Sequence, residues 1–339
     1  MALIMSGTAS AASWQMISTQ AKLSPDSAAD AWGLGANTSG QTSAVHLSGT
    51  AQAAFPLPTT VREAAISADG PGDAWVAGSR GVTGGGYGRR QPVLIHYNGS
   101  SWTTFSLADD GKSEQLSSVA VLSPADAWAA GSNALLHWDG TQWSRTTAPA
   151  PQGTTGSVNI SALSRSGTDL WALGSATVGG VYSSFAARWD GIRWNLTPLL
   201  PATPAGHWRS LGNISASSPS SAWVAVTDYD QNYDSSALAL RWNGSSWQAI
   251  TMPAHGVEQT LSGIAAGSGE AWAVGEFANS SSDNAPRAAL YRWNGSAWSA
   301  VSFPVTTAYS YVSSVMYVPG SAVVWASGFD SSGWFAAHN

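Results

Sequence analysis

His207 and His255 are the two histidines of this 339-residue chain that fall outside its repeated motifs. Each has chemistry-bearing neighbours: His207 is followed by Trp208 and Arg209, and His255 by Glu258 and Gln259. A histidine that moves a proton, a carboxylate that partners it and an arginine that clamps an anion suffice for proton abstraction beside a carboxylate. His207 or His255 as acid/base, Glu258 as partner and Arg209 as clamp would suit a lyase or hydrolase acting on a polysaccharide or another anionic substrate. The same four residues also read as ordinary loop positions, so no catalytic residue is assigned. Arg62-Glu63, Glu114-Gln115 and the pair Tyr309 and Tyr311 occupy corresponding places elsewhere in the chain. With Trp208, Tyr229, Tyr233 and Trp334 they make an aromatic and hydrogen-bonding set. Amphipathic rings are common where proteins recognise ligands. The preferred reading is a binding surface for a glycan or a cell-surface protein.

Several other chemistries find no support. There are no cysteines, which excludes disulfides, thiolate metal ligands and cysteine nucleophiles. No serine-nucleophile elbow and no HExxH sequence is present. The stretch 81–90 carries three consecutive glycines beside Arg80, Arg89 and Arg90, but it lacks the strand–loop–helix setting of a phosphate cradle. It reads as a mobile surface loop. The acidic stretch Asp228–Asp234 lacks the glycine and distal Glu of a calcium loop and reads as a tyrosine-rich recognition loop. No metal or other cofactor is expected. Net charge is −6 with no basic run, so nucleic acid is not an expected partner. No segment is long and apolar enough to read as a membrane span.

These residues must be positioned by elements that the sequence announces through repetition. An acid, a small residue and a tryptophan, usually followed after two residues by glycine, recur as Asp30-Ala31-Trp32, Asp73-Ala74-Trp75, Asp126-Ala127-Trp128 and Asp169-Leu170-Trp171. Later copies are Ser221-Ala222-Trp223, Glu270-Ala271-Trp272 and Val323-Val324-Trp325. The tryptophans stand 43, 53, 43, 52, 49 and 53 residues apart. A second motif begins with a basic residue and an aromatic, then Asp-Gly or Asn-Gly, and ends at a tryptophan. Examples are His137-Trp138-Asp139-Gly140 leading to Trp143, and Arg241-Trp242-Asn243-Gly244 leading to Trp247. Such pairs favour tight hairpin turns. One repeat therefore predicts four strands, Ser117–Leu122, Ala127–Gly131, Leu135–Trp138 and Trp143–Thr147. The recurring basic position and the recurring acid are expected to form structural pairs, because ionisable groups buried between sheets need partners.

The last copy of the second motif starts at His338 and stops at Asn339, while Ser13-Trp14-Gln15-Met16 resembles the end of another copy, Ser246-Trp247-Gln248-Ala249. The expected fold is all-β: a seven-bladed β-propeller of four-stranded blades, closed by an N-terminal strand that completes the last blade. One domain is expected over 1–339, with residues 1–12 a loosely ordered leader remnant or tag. Only 10% of residues are charged, against roughly 25% in ordinary soluble domains, which suits sheets buried on both faces.

The chain resembles bacterial, largely actinobacterial-type, β-propellers with repeats of the form DAWAVG and HWDGTSW. Its Trp-Asn-Gly-Ser-Ser-Trp turn also resembles a shortened form of the Asp-box hairpin of sialidase-like propellers. The resemblance implies the fold and an extracellular or cell-surface setting, and carries over no catalytic residue. In such a fold the short repeated turns share one end and the variable connections the other. Variable loops on a rigid frame carry function, so the candidate residues are expected to ring the mouth of a central channel at the variable end. A structural protein of an extracellular coat or filament is the third reading, prompted by the charge-poor, tryptophan-rich composition. Oligomeric state is open.

Overall fold

The computed structural model of the protein describes residues 14–18, 22–27, 29–36, 41–82, 88–198, 200–280, 285–303, 309–318 and 320–339. The expected leader lies outside the described residues, as do 83–87 of the glycine loop and the side chain of Glu63. The described residues form strands and turns, with no helix among them.

Strand β1 (Gln15–Ser18) opens the chain. The first consecutive sheet is β2 (Lys22–Pro25), β3 (Asp30–Ala36), β4 (Thr42–Ser48) and β5 (Ala51–Pro56). The second is β6 (Arg62–Ala68), β7 (Ala74–Gly81), β8 (Arg90–Tyr97) and β9 (Trp102–Phe105). Then follow β10 (Gln115–Ser123), β11 (Asp126–Ser132), β12 (Ala134–Trp138) and β13 (Trp143–Arg145), and β14 (Thr154–Ser166), β15 (Asp169–Val178), β16 (Val181–Trp189) and β17 (Trp194–Leu196). These two groups join into one eight-stranded sheet through a single pairing, Ser132 with Asn159. Next are β18 (Trp208–Ser218), β19 (Ser221–Tyr229), β20 (Ser235–Trp242) and β21 (Trp247–Thr251), then β22 (Glu258–Ala266), β23 (Ala271–Ala278), β24 (Arg287–Trp293) and β25 (Trp298–Ala300). The final sheet has the order β1-β28-β27-β26, built from β26 (Tyr311–Tyr317), β27 (Val324–Asp330), β28 (Gly333–His338) and the N-terminal strand. Gln15 pairs with His338 and Ser18 with Phe335. All strand pairs are antiparallel, and first strands of successive sheets touch, from β2 and β6 through to β22 and β26. The last of them, β26, also touches β2.

The repeated tryptophans explain how the sheets stack. Each first-motif tryptophan sits in the second strand of its sheet, directly opposite the basic residue of the third: Trp75 pairs with His96, Trp128 with His137 and Trp272 with Arg292. In the first five sheets its ring then wedges against the hairpin aromatics of the next sheet. Trp75 meets Trp138 and Trp143 at 5.0 Å, Trp128 meets Trp189 and Trp194, and Trp223 meets Trp293 and Trp298 at 5.2 Å. In the sixth copy the role passes to the N-terminus, where Trp14 stands edge-on to Trp272 at 5.8 Å. Trp32, Trp75, Trp128, Trp171 and Trp325 are essentially buried. Truncating such a ring costs about 3–5 kcal/mol, so these wedges dominate the packing between sheets. Small residues on the opposite face, such as Ala74, Ala127 and Ala271, let the sheets approach.

The glycine after the tryptophan has a steric cause. First strands bulge where they cross it, between Leu116 and Ser118 and between Leu261 and Gly263. The bulged backbone presses onto the second strand: a Cβ on Gly131 would lie 1.7 Å from the Gln115 carbonyl oxygen, and one on Gly275 1.9 Å from that of Thr260. In the hairpins, Asp139 Oδ1 accepts from the backbone N–H of Thr141 and Gln142 at 2.8 and 2.9 Å, while Gly140 takes φ +91°. The Thr141 hydroxyl, which also donates to Oδ1 at 2.6 Å, and those backbone donors hold the Asp139 carboxyl down at about 2.

Candidate functional site

The structured variable-end residues gather most densely at the start of β18. Antiparallel pairing puts Trp208 opposite Tyr229 and Arg209 opposite Asp228. Trp208 and Tyr229 stack with ring centres 5.0 Å apart and planes 5° from parallel, and Tyr233 stands edge-on to Trp208 at 4.9 Å. Trp208 is 40% exposed and Tyr233 75%. The loop that presents Tyr233 is tied by Asp230, whose Oδ1 accepts from the N–H of Asn232 and Asp234. Tyr233 itself sits at φ +69°, a left-handed conformation that non-glycine residues seldom adopt. Backbone held this way at a loop tip accompanies function more often than packing.

Beside these rings lies a polar cluster on one carboxylate. His207 Nδ1 is 2.6 Å from Asp228 Oδ2, and Arg209 Nε donates to Asp228 Oδ1 at 2.7 Å. Arg209 also donates from Nη1 to the Pro201 carbonyl at 3.0 Å. His207 is the more exposed partner, at 37% for its side chain against 12% for Asp228 and Arg209. The carboxylate orients both basic groups, so Arg209 serves first to anchor the loop.

The remaining candidates divide among neighbouring sheets. His255 stacks on Phe277 at 3.9 Å and meets Tyr291 edge-on, with a buried Nδ1 that has no partner. Glu258 starts β22 opposite Ala278. Among the described residues no ion pair joins Glu258 to His207 or His255, whereas His207 and Arg209 share Asp228. Gln259 donates to the Tyr291 hydroxyl at 2.6 Å. In the last sheet Tyr311 stacks on Phe329 and meets Trp334 edge-on, while exposed Tyr309 has φ +64°. Burial raises the carboxyl of half-buried Glu276, and burial together with Tyr309 and Glu276 raises the Tyr311 hydroxyl. Arg62 is exposed at the start of β6. Glu114 is 3% exposed and holds Arg145 through Nε at 2.9 Å and Nη2 at 2.6 Å. That pair ties the chain before β10 to β13, a packing role for Glu114.

The cavity between the first strands holds about 150 Å³ and is lined by residues such as Leu23, Ile66, Asn213, Ser262 and Met316. Among the described residues no charged side chain lines it. The repeated acid and base do pair: His46 with Asp30 at 2.8 Å, His96 with Asp73 at 2.9 Å, His137 with Asp126 at 3.0 Å, Arg188 with Asp169 at 3.1 Å and Arg292 with Glu270 at 2.8 Å. Arg241 has a serine in the acid's place and lies over Trp223 and Trp293 instead.

Asp228 was expected only as the first residue of the recognition loop, and Phe277, Glu276 and Phe329 carried no sequence signal. The partner of Arg209 was hidden by bulges. Counted from the turn pair Ser218 and Ser221, an unbroken ladder sets Arg209 opposite Asp230, whereas register shifts between Leu211 and Ile214 and between Ala216 and Ser218 bring it to Asp228.

No family model matches the chain, and no curated protein matches it. Solved structures do match over almost its whole length. YCF48 bound to D1 peptide is 15% identical and aligns with a TM-score of 0.58, covering 96% of each chain. YCF48 from Cyanidioschyzon merolae gives 14% identity and a TM-score of 0.57 over 96% of this chain and 98% of its own. A polysaccharide lyase, an ulvan lyase, is 8% identical with a TM-score of 0.63 over 95% of each chain. At these identities the likeness defines the fold alone. The protein is an all-β chain of antiparallel four-stranded units with a β-propeller-type fold.

Proposed function

We propose that the protein is an extracellular binding module that recognises a glycan through the face carrying Trp208, Tyr229 and Tyr233. The observation that carries this reading is the exposed aromatic group beside the His207–Asp228–Arg209 cluster. Rigid rings offer contact area at little entropic cost, and adjacent polar groups fix orientation. The blades number seven in this proposal, and the N-terminal strand closes the ring. Support comes from the pairing of β1 with β28, the contact of β26 with β2, and Trp14 standing where the other copies have a hairpin tryptophan. The charge-poor composition supports an extracellular setting, and among the described residues no helix is long and apolar enough to cross a membrane.

Affinity for immobilised glycans, compared between the wild type and Trp208→Ala, tests the binding reading. Loss of a central aromatic anchor removes ~2 kcal/mol, about 30-fold in affinity. Equal binding by the two proteins overturns the assignment of this face.

A second reading, a polysaccharide lyase, draws on the exposed His207 held by Asp228 and on the structural likeness to an ulvan lyase. Asp228 fixes Nδ1 and leaves Nε2 as the reactive nitrogen. Unsaturated products released from anionic polysaccharides by the wild type and not by His207→Ala would favour it. Their absence with every polysaccharide leaves the binding reading.

A further inference from the structure

Side chains alternate along a strand, so Thr227 and Tyr229 of β19 share one face of the β18–β21 sheet, and Asp228 lies on the other. Contacts fix what each face meets. Thr227 Oγ1 accepts from the Leu261 N–H of β22 at 3.0 Å, which turns this face to the β22–β25 sheet. Trp208, paired with Tyr229 and stacked on it, is turned the same way. Arg209, paired with Asp228, reaches instead to the Pro201 carbonyl in the connection that precedes β18. The rings therefore look toward β22, and the carboxylate looks away from it.

The β22–β25 sheet presents a wall of its own. Leu261 packs with Trp223 and Ala225 of β19, so its side of β22 faces the rings. Gln259 stands two residues earlier on that side, opposite Phe277 of β23. His255 backs the Phe277 ring, with centres 3.9 Å apart. Gln259 is 8% exposed and spends its amide nitrogen on two partners, the Pro253 carbonyl at 3.0 Å and the Tyr291 hydroxyl at 2.6 Å. Those bonds fix the amide and leave Oε1 as an oriented acceptor. Among the described residues no donor reaches Oε1, and it stays open to solvent.

Resting on the glycan reading of the Trp208 face, we propose that the sugar subsite is the space between these two walls. An uncharged sugar ring packs against the Trp208–Tyr229 group and donates a hydroxyl to Gln259 Oε1, with Phe277 as the second wall. Apolar ring faces suit the C–H faces of a sugar. A buried acceptor of fixed direction rejects sugars that lack the matching hydroxyl, because it is then left unpaired. Trp208, Tyr229, Gln259 and Phe277 carry no charge, and the basic groups around them are already bonded. His207 and Arg209 hold Asp228, and Arg287, opposite Phe277, donates to the Ala285 carbonyl. The occupant is thus an uncharged glycan.

The test is a glycan array bearing uncharged and anionic sugars, probed with the wild type, Trp208→Ala, Phe277→Leu and Gln259→Met. Tyr182→Ala, at an exposed tyrosine of β16, is the control for a ring outside the groove. Phe277→Leu keeps an apolar side chain in the packing, and thermal melts show which variants are folded; either β22–β23 variant decides alone. Binding of an uncharged glycan should weaken about tenfold in Phe277→Leu and about tenfold in Gln259→Met, with Tyr182→Ala equal to the wild type. Weakening in Trp208→Ala with full binding in the folded Phe277→Leu and Gln259→Met variants overturns the groove and leaves the Trp208 face as a glycan site. Binding of anionic glycans alone overturns the uncharged occupant and likewise leaves the glycan reading. No binding of any glycan removes both.

Discussion

Replacing Asp26 by asparagine should stabilise the protein at neutral pH and leave it unchanged in acid. Burial and the neighbouring Asp30 carboxylate raise the Asp26 carboxyl from 3.8 to about 6 in the folded chain. A group raised in this way binds its proton more tightly when folded. Its contribution is fully present below the unfolded value and is lost as pH rises through about 6. Each unit corresponds to ~1.4 kcal/mol, so the full rise sets an upper bound of about 3 kcal/mol on the strain of ionised Asp26 at pH 8. Solvent screening of this half-buried group, and sharing of the load with Asp30, bring the expected gain in Asp26→Asn to about 1–2 kcal/mol. Asparagine keeps the shape and carries no charge. Urea unfolding at pH 8 and at pH 4 measures both ends: the midpoint should rise at pH 8 and coincide with the wild type at pH 4. A variant less stable than the wild type at pH 8 would mean that ionised Asp26 is a favourable partner in the fold, and the reasoning would fail.

Three further outcomes follow from the packing. Gly275→Ala places a Cβ 1.9 Å from the Thr260 carbonyl oxygen and should cost about 1–3 kcal/mol by overpacking, read as a lower denaturation midpoint. Glu114→Ala strips the partner from Arg145 and should cost about 2–3 kcal/mol, less than a fully buried pair because the Arg145 side chain is 30% exposed. Trp14→Ala removes the ring that stands against Trp272 and Phe303 and should lower the melting temperature by several degrees, with a loss of about 3 kcal/mol. An unchanged melting temperature in that variant would contradict closure of the ring by the N-terminus.

The fold was legible because one mechanical solution is written repeatedly. A tryptophan wedge, a small-residue face and an Asx-Gly turn recur at similar spacing, and each copy repeats the same packing event. The expected strand Leu135–Trp138 differs from the observed Ala134–Trp138 by one residue, since hydrophobic pattern and turn chemistry agree there. The candidate sites were less legible for two physical reasons. Bulges shift register without leaving a mark in the amino-acid order, so the partner of Arg209 could not be counted from the turn. Regularity also drew attention away from the short-turn end. His46 and Asp30 look like every other structural pair, and only their proximity to Asp26 makes that corner different. Glu114 shows the converse: it sat among the candidate ligand contacts by position, yet Arg145, 31 residues later, holds it in a partly buried ion pair.

Glycan binding by the face around Trp208 is measured by a glycan-array screen of the wild type beside the His207→Ala/Arg209→Ala/Tyr311→Ala and Trp208→Ala variants. The wild type should give a specific signal that falls about 30-fold in Trp208→Ala. The triple variant should lose orientation-dependent selectivity, because Asp228 no longer has His207 and Arg209 to order it. A wild-type signal that survives intact in Trp208→Ala, or no signal from any glycan, would mean that this face is not a glycan-binding site.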